Sequence, residues 1–183
     1  MRIISGEFKG RRITAPKKLP VRPTTDMAKE ALFNILNNRY YFDEISVLDL
    51  FAGTGNISFE FASRGTNNIT AVDENFGCIK FINETAESFE MPISSIKSDV
   101  FKYLEQTNQK YDIIFADPPY NFNQEQFDKI PKLVFENDFL ADGGSLIIEH
   151  SKHTALSNLK HFDYSKHYGG NAFSFFRVAE ISA

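Results

Sequence analysis

Apolar residues in this chain follow two alternating periods, and the alternation predicts a layered α/β fold. Short apolar runs over residues 45–51, 68–73, 93–98, 111–117 and 145–150 read as strands. Between them lie stretches with apolar residues three and four apart, which predict helices ending near Arg64, where Gly65 is the stop, and over residues 78–89, 101–104 and 124–135. Nearly continuous apolar strands separated by helices imply a parallel sheet covered on both faces. Ahead of the first strand, Ala28, Ala31, Leu32, Ile35 and Leu36 keep helical spacing behind the capping candidates Thr24, Thr25 and Asp26. Beyond His150 the helical period is lost, and residues 162–168 and 172–181 read as two closing strands around a Gly169-Gly170 turn. Pro131 falls inside the last predicted helix; lacking an N–H and crowding the preceding turn, it should start or kink that helix.

Residues 2–13 alternate loosely and contain Gly6 and Gly10, which predicts a short hairpin, followed by a proline-punctuated connector over residues 15–23. The expected organisation is an appendage, residues 1–23, on one main domain, residues 24–183. A length of 183 residues suits one sizeable core. The longest apolar runs fall far short of the ~20 residues that span a bilayer, and no apolar segment follows Arg2 as in a secretory signal. A cytoplasmic location is therefore expected. Cys78 is the one cysteine, which excludes an internal disulfide and a cysteine-based zinc cluster and reads as a small hydrophobe on a helix. His150, His153, His161 and His167 lack a recognisable metal-ligand spacing, so no metal is expected. Phe173, Phe175 and Phe176 alternate as core aromatics do.

The net charge of −4 conceals an asymmetry: residues 1–40 hold nine Lys or Arg against three acids, whereas the remainder holds eleven against twenty-one. A basic docking surface on an acidic body fits a nucleic-acid partner, with Arg2, Lys9, Arg11, Arg12, Lys17, Lys18 and Arg22 as candidates.

In parallel α/β sheets, ligands bind beyond the carboxyl ends of strands, and the candidate chemistry sits there. After the first strand comes Asp49-Leu50-Phe51-Ala52-Gly53-Thr54-Gly55, whose glycines allow a sharp turn into a helix with free N–H groups. No Gly-Lys-Ser/Thr follows, and Ser58 stands where a dinucleotide fingerprint has its third Gly or Ala, so a P-loop and a nicotinamide enzyme are both demoted. Asp73 ends the second strand 18 residues after Gly55, close to the roughly 20-residue offset of a ribose-binding acid. Asp99 and Val100 end the third and can meet an adenine edge, although Asp99 also suits a helix cap. After the fourth strand, Asp117-Pro118-Pro119-Tyr120 supplies a carboxylate and a carbonyl in a loop stiffened by two prolines, then an aromatic ring. Two fixed acceptors suit an exocyclic amine, whose lone pair is delocalised into the base until its hydrogens are held; Tyr120 can stack on that base.

With these motifs the chain resembles the class I, Rossmann-like methyltransferases, and more closely the RsmD-type 16S ribosomal RNA guanine N2 methyltransferases. The narrower resemblance adds Arg2-Ile3-Ile4-Ser5-Gly6, Lys9-Gly10-Arg11-Arg12, Arg22-Pro23-Thr24 with Glu30, Phe33-Asn34-Ile35-Leu36, Glu149-His150 and Tyr168-Gly169. It implies a seven-stranded, mostly parallel sheet with one antiparallel strand near the C-terminus, and S-adenosylmethionine as cofactor. It also implies that Asp49, Phe51, Ala52, Gly53, Thr54 and Gly55 hold the methionine part with help from Thr24, that Asp73 binds ribose, and that Asp99 and Val100 bind adenine. Asp117, Pro118 and Tyr120 would hold a guanine of the small ribosomal subunit. An aspartate at position 73 is shorter than the glutamate frequent in such enzymes. Two rivals remain open: adenine N6 methylation of DNA, together with glutamine methylation, and a non-catalytic RNA-binding assembly factor. No long insertion suggests a DNA-recognition domain, and an intact Asp117 with Tyr120 counts against loss of catalysis.

Overall fold

A computed structural model describes residues 1–180. Its strands form one sheet of seven in the order β3-β2-β1-β4-β5-β7-β6, and the chain divides into two compact units, Met1–Val100 and the part from Phe101 onward. In the first unit, helix α1 (Asp26–Asn37) precedes β1 (Ser46–Leu50), α2 (Asn56–Ser63), β2 (Asn68–Asp73), α3 (Phe76–Ser88) and β3 (Ile93–Lys97). All three strands are parallel, with Asp49 beside Ala71 and Val72 beside Ile96. Thr25 caps α1 by accepting a hydrogen bond from the Ala28 N–H.

The N-terminal appendage forms a single antiparallel bridge, Arg2 to Arg12, rather than a regular two-stranded ladder. Its conformation is held from outside. Ile3 and Ile13 are buried, and the Ile4 and Ser5 N–H groups donate to Glu60 on α2 at 3.0 and 3.1 Å. Gly6 has φ +86°, and a Cβ there would lie 1.8 Å from the Ser63 carbonyl oxygen, so only glycine allows this approach. Glu60 is fully buried, as is Lys29, whose Nζ lies 3.4 Å from it and donates to the Arg2 carbonyl at 2.6 Å and to Asn56 Oδ1 at 2.8 Å. Burial pulls the Lys29 ammonium below its usual range, against the raising effect of Glu60. Arg64 also pairs with Glu60, at 2.9 Å. Removing one partner would leave a buried charge uncompensated, so the network makes the attachment specific.

The second unit contains most of α4 (Val100–Gln106), then β4 (Tyr111–Ala116), α5 (Gln124–Glu136), β5 (Leu140–Ser151), β6 (Phe162–Tyr168) and β7 (Asn171–Phe176). β4 and β5 are parallel; β7 runs antiparallel to both β5 and β6. Pro131 does not start α5, which begins at Gln124 and continues past the proline. Asn123 and Gln126 close a capping box at its start, and Phe127, Ile130, Pro131 and Val134 are buried along it, so packing and the cap outweigh the lost backbone bond. β5 begins five residues before the predicted strand because Leu140 pairs with Tyr111, after which the register shifts until Ile113 meets Ser145. The last strand, expected over residues 172–181, ends at Phe176; Ile181 lies outside the described residues. Among the described residues, no helix is long and apolar enough to cross a membrane.

Candidate active site

In the first unit, candidate residues lie at the carboxyl ends of β1 and β2. Leaving β1, the chain turns through Phe51 at φ +57°, Gly53 at φ +56° and Gly55 at φ +82°. Phe51 is therefore part of the turn and not the end of the strand. A Cβ on Gly55 would lie 2.9 Å from Ile82 and 3.1 Å from the Phe59 ring, which explains glycine there twice over. Gly55 is also the N-cap of α2, and no side chain caps this helix, so its first N–H groups suit an anionic ligand. Thr24 and Asn56 flank the same turn: both are buried, and Asn56 Nδ2 donates to the Thr24 carbonyl at 3.1 Å.

Two carboxylates belong to the same group. Asp73 accepts from the Gly53 N–H at 2.9 Å through one oxygen and from the Asn75 N–H at 2.8 Å through the other. It thus shapes the glycine turn, and being half-exposed it keeps lone pairs for a ligand's hydroxyls. Asp49 is buried and accepts from Ser58 Oγ at 2.6 Å. Burial pushes its pKa up to about 7, against the lowering effect of the Ser58 bonds and with a small further rise from Asp73. An uncapped helix start, a cation-favouring buried acid and a half-exposed acid fit the carboxylate, ammonium and ribose of S-adenosylmethionine. Asp99 is exposed after β3, and Val100 is buried at the start of α4.

In the second unit, the candidate residues follow β4. Asp117 is half-buried, Pro118 buried, and Tyr120 is 73% exposed. The Phe122 N–H donates to the Pro119 carbonyl at 3.1 Å, whereas no group among the described residues donates to the Pro118 carbonyl. Phe122 anchors the loop: its ring stacks on Phe101 at 6.0 Å and meets Phe127 edge-on at 6.0 Å. Phe122 was not among the candidates read from the sequence, although an aromatic two residues after Tyr120 was its visible signal. Nor were Ser58 as the partner of Asp49, or Lys29, Asn56 and Glu60, whose polarity gave no hint of burial. Val21 of the connector packs near Gly53, its Cγ1 3.4 Å from where a Cβ would stand.

Asp73→Ala should weaken S-adenosylmethionine binding by roughly ten- to a hundredfold, the scale of one or two hydrogen bonds to a charged group. Calorimetry returning the wild-type affinity would remove Asp73 from the site.

Residues 1–177 match the family described as conserved hypothetical protein 95. Ribosomal RNA small subunit methyltransferase D of Haemophilus influenzae is 31% identical over 166 residues, covering 85% of this chain and 81% of that protein. The Escherichia coli protein of the same name is 28% identical over 150 residues, covering 81% and 74%. Among solved structures, Escherichia coli yhhF superimposes with a TM-score of 0.81 at 26% identity over 96% of each chain. The 16S rRNA N2 methyltransferase RsmC of T. thermophilus, solved with AdoMet and guanosine, shares the fold at a TM-score of 0.68 and 19% identity, over 86% of this chain and 44% of that one.

Proposed function

We propose that this chain, which belongs to the conserved hypothetical protein 95 family, transfers the methyl group of S-adenosylmethionine to the exocyclic N2 of a guanine in 16S ribosomal RNA. The observation that carries this reading is the half-buried Asp117 carboxylate beside the unengaged Pro118 carbonyl, with an exposed Tyr120 two residues on. Similarity to the methyltransferase D proteins supports the choice of RNA over DNA. The small ribosomal subunit is then the partner and the cytoplasm the place of action.

Bound S-adenosylmethionine supplies an electrophilic methyl carbon on a sulfonium. The α2 N–H groups and the Asp49 to Gly55 turn hold its methionine part, with Thr24 helping; Asp73 takes the ribose, and Asp99 with Val100 the adenine. Asp117 and the Pro118 carbonyl each accept an N–H of the guanine amine, which favours a pyramidal nitrogen with its lone pair directed at the methyl carbon. Tyr120 stacks on the base and fixes its plane. As the N–C bond forms, the C–S bond breaks, S-adenosylhomocysteine leaves, and the amine proton passes to Asp117 or water. Labelled cofactor incubated with small-subunit particles, 16S RNA or DNA, followed by nucleoside analysis, tests the reading. Label in N2-methylguanosine is expected; label in DNA adenine, or none anywhere, overturns it.

RNA docking falls to Arg2, Lys9, Arg11, Arg12, Lys17, Lys18 and Arg22. Arg2 pairs with Asp26 at 3.2 Å, and the Arg11 guanidinium lies 6.0 Å from the centre of the Phe89 ring, so Arg11 rests on its own unit while exposed Arg12 is better placed to meet phosphate. Replacing Arg11 and Arg12 together with alanine should raise the KM for RNA and flatten its salt dependence, leaving cofactor affinity unchanged. An unaltered salt slope would reduce the basic segment to a solubility feature.

A further inference from the structure

The second unit carries basic groups at the edge that bears the target loop. Because β4 and β5 are parallel with Ala116 beside Ile148, the Asp117 loop and the segment after Ser151 leave the sheet on the same side. Antiparallel β7 sets Asn171 opposite Ser151, which brings the tip of the β6–β7 hairpin to that side as well. The Lys152 N–H donates to the Gly170 carbonyl at 3.0 Å, tying the segment to the tip, and Gln124 Nε2 at the start of α5 donates to the Ala155 carbonyl at 2.7 Å. Lys152, His153, Lys166 and His167 gather here, and all four are exposed.

The charge of the two lysines is not spent internally. Lys80, Lys110 and Lys129 each pair with an acid, whereas neither Lys152 nor Lys166 has an ion pair among the described residues. The two acids of this stretch are occupied or hidden: Asp163 pairs with Arg177 at 2.7 Å, and Glu149 is buried and receives Asn171 Nδ2 at 3.3 Å. The other two histidines are engaged within the unit, buried His150 with its Nε2 2.6 Å from Ser174 Oγ and half-buried His161 stacked on Phe135.

The tip itself is bare. Gly169 needs glycine for its φ of +60°, but Gly170 is not among the residues of positive φ, and a Cβ there would meet nothing within 4 Å. Neither backbone nor packing requires glycine at 170. The N–H groups of Gly169 and Gly170 donate to nothing among the described residues. Two free amides without side chains, flanked by unpaired lysines, suit the close approach of a phosphodiester.

We infer that the β6–β7 tip with Lys152 and Lys166 binds the RNA backbone next to the target nucleotide, a second docking surface in addition to the N-terminal one. The inference rests on the proposed RNA reading, since a base presented to Asp117 must bring its flanking phosphates past this same sheet edge. In an acidic protein, an unpaired cationic edge at that place offsets their repulsion.

The test compares wild-type protein with Lys152→Ala/Lys166→Ala and with Gly170→Ala, using the RNA or particle that the wild type methylates. Loss of two single-strand phosphate contacts should reduce the salt slope of RNA affinity by about 1.4 and raise the KM about tenfold near physiological salt. The kcat at saturating RNA and the calorimetric cofactor affinity should not change. Gly170→Ala should raise the KM for RNA without lowering the melting temperature. Unaltered KM and salt slope in both variants overturn the inference, as does a Gly170→Ala effect traced wholly to lost stability. A wild-type protein that methylates no RNA defeats the functional reading instead, so the two failures are distinguishable.

Discussion

Asp117→Ala should lower turnover roughly 10² to 10³-fold, the scale seen when one oriented group is removed from a preorganised polar site, while the folded protein still binds S-adenosylmethionine. The split is expected because Asp117 lies in the loop after β4, whereas the groups assigned to the methionine and ribose parts follow β1 and β2. The Pro118 carbonyl remains in the variant, so the amine keeps one acceptor but loses the charged one. Asp117→Asn, which keeps an acceptor oxygen but adds an N–H donor, should fall between the two. Single-turnover assays with calorimetry alongside separate binding from chemistry. Near-normal transfer by Asp117→Ala would mean that the amine is held elsewhere, and no transfer even by the wild type would favour the assembly-factor reading.

Asp49→Asn should change the pH dependence of stability and weaken cofactor binding at once. Burial raises the Asp49 pKa from 3.8 to about 7, so the folded chain holds this proton over a range in which the unfolded chain has released it. Stability is therefore lost as pH rises from about 4 to 7, by up to roughly 4 kcal/mol from this group, and is level above that. Asparagine can still accept from Ser58 and never ionises, so the variant should lack this slope and be the more stable apoprotein at pH 8. The same change removes the negative charge that a bound ammonium or sulfonium would stabilise, so cofactor should protect the variant less than the wild type in thermal melts. Parallel pH profiles of the two apoproteins would show that burial does not raise the Asp49 pKa.

Local chemistry was enough to draw the candidate site. The positions Asp49, Gly53, Gly55, Asp73 and Asp117 to Tyr120 stand near the ends of apolar runs that read as strands, and ligand-binding loops follow strand ends. What each carboxylate does was less readable. Asp49 and Asp73 look alike in sequence, yet one is buried against Ser58 and the other is half-exposed and ties down Gly53. Burial depends on neighbours distant in the chain, and burial sets the pKa.

The alternation of apolar periods, the glycine and proline signals and the uneven charge determined the fold class, the strand and helix order and the kind of chemistry. These are properties of neighbouring residues, so the sequence carries them directly. The tertiary structure alone decided where propensity would yield: packing carries α5 through Pro131, and pairing with Tyr111 extends β5 back to Leu140. It alone joined Lys29 to Glu60 across 31 positions and set Lys152 beside Gly170. Such contacts arise when the sheet brings distant segments together, and a charged residue bears no local mark of whether it will meet a partner, the core or water.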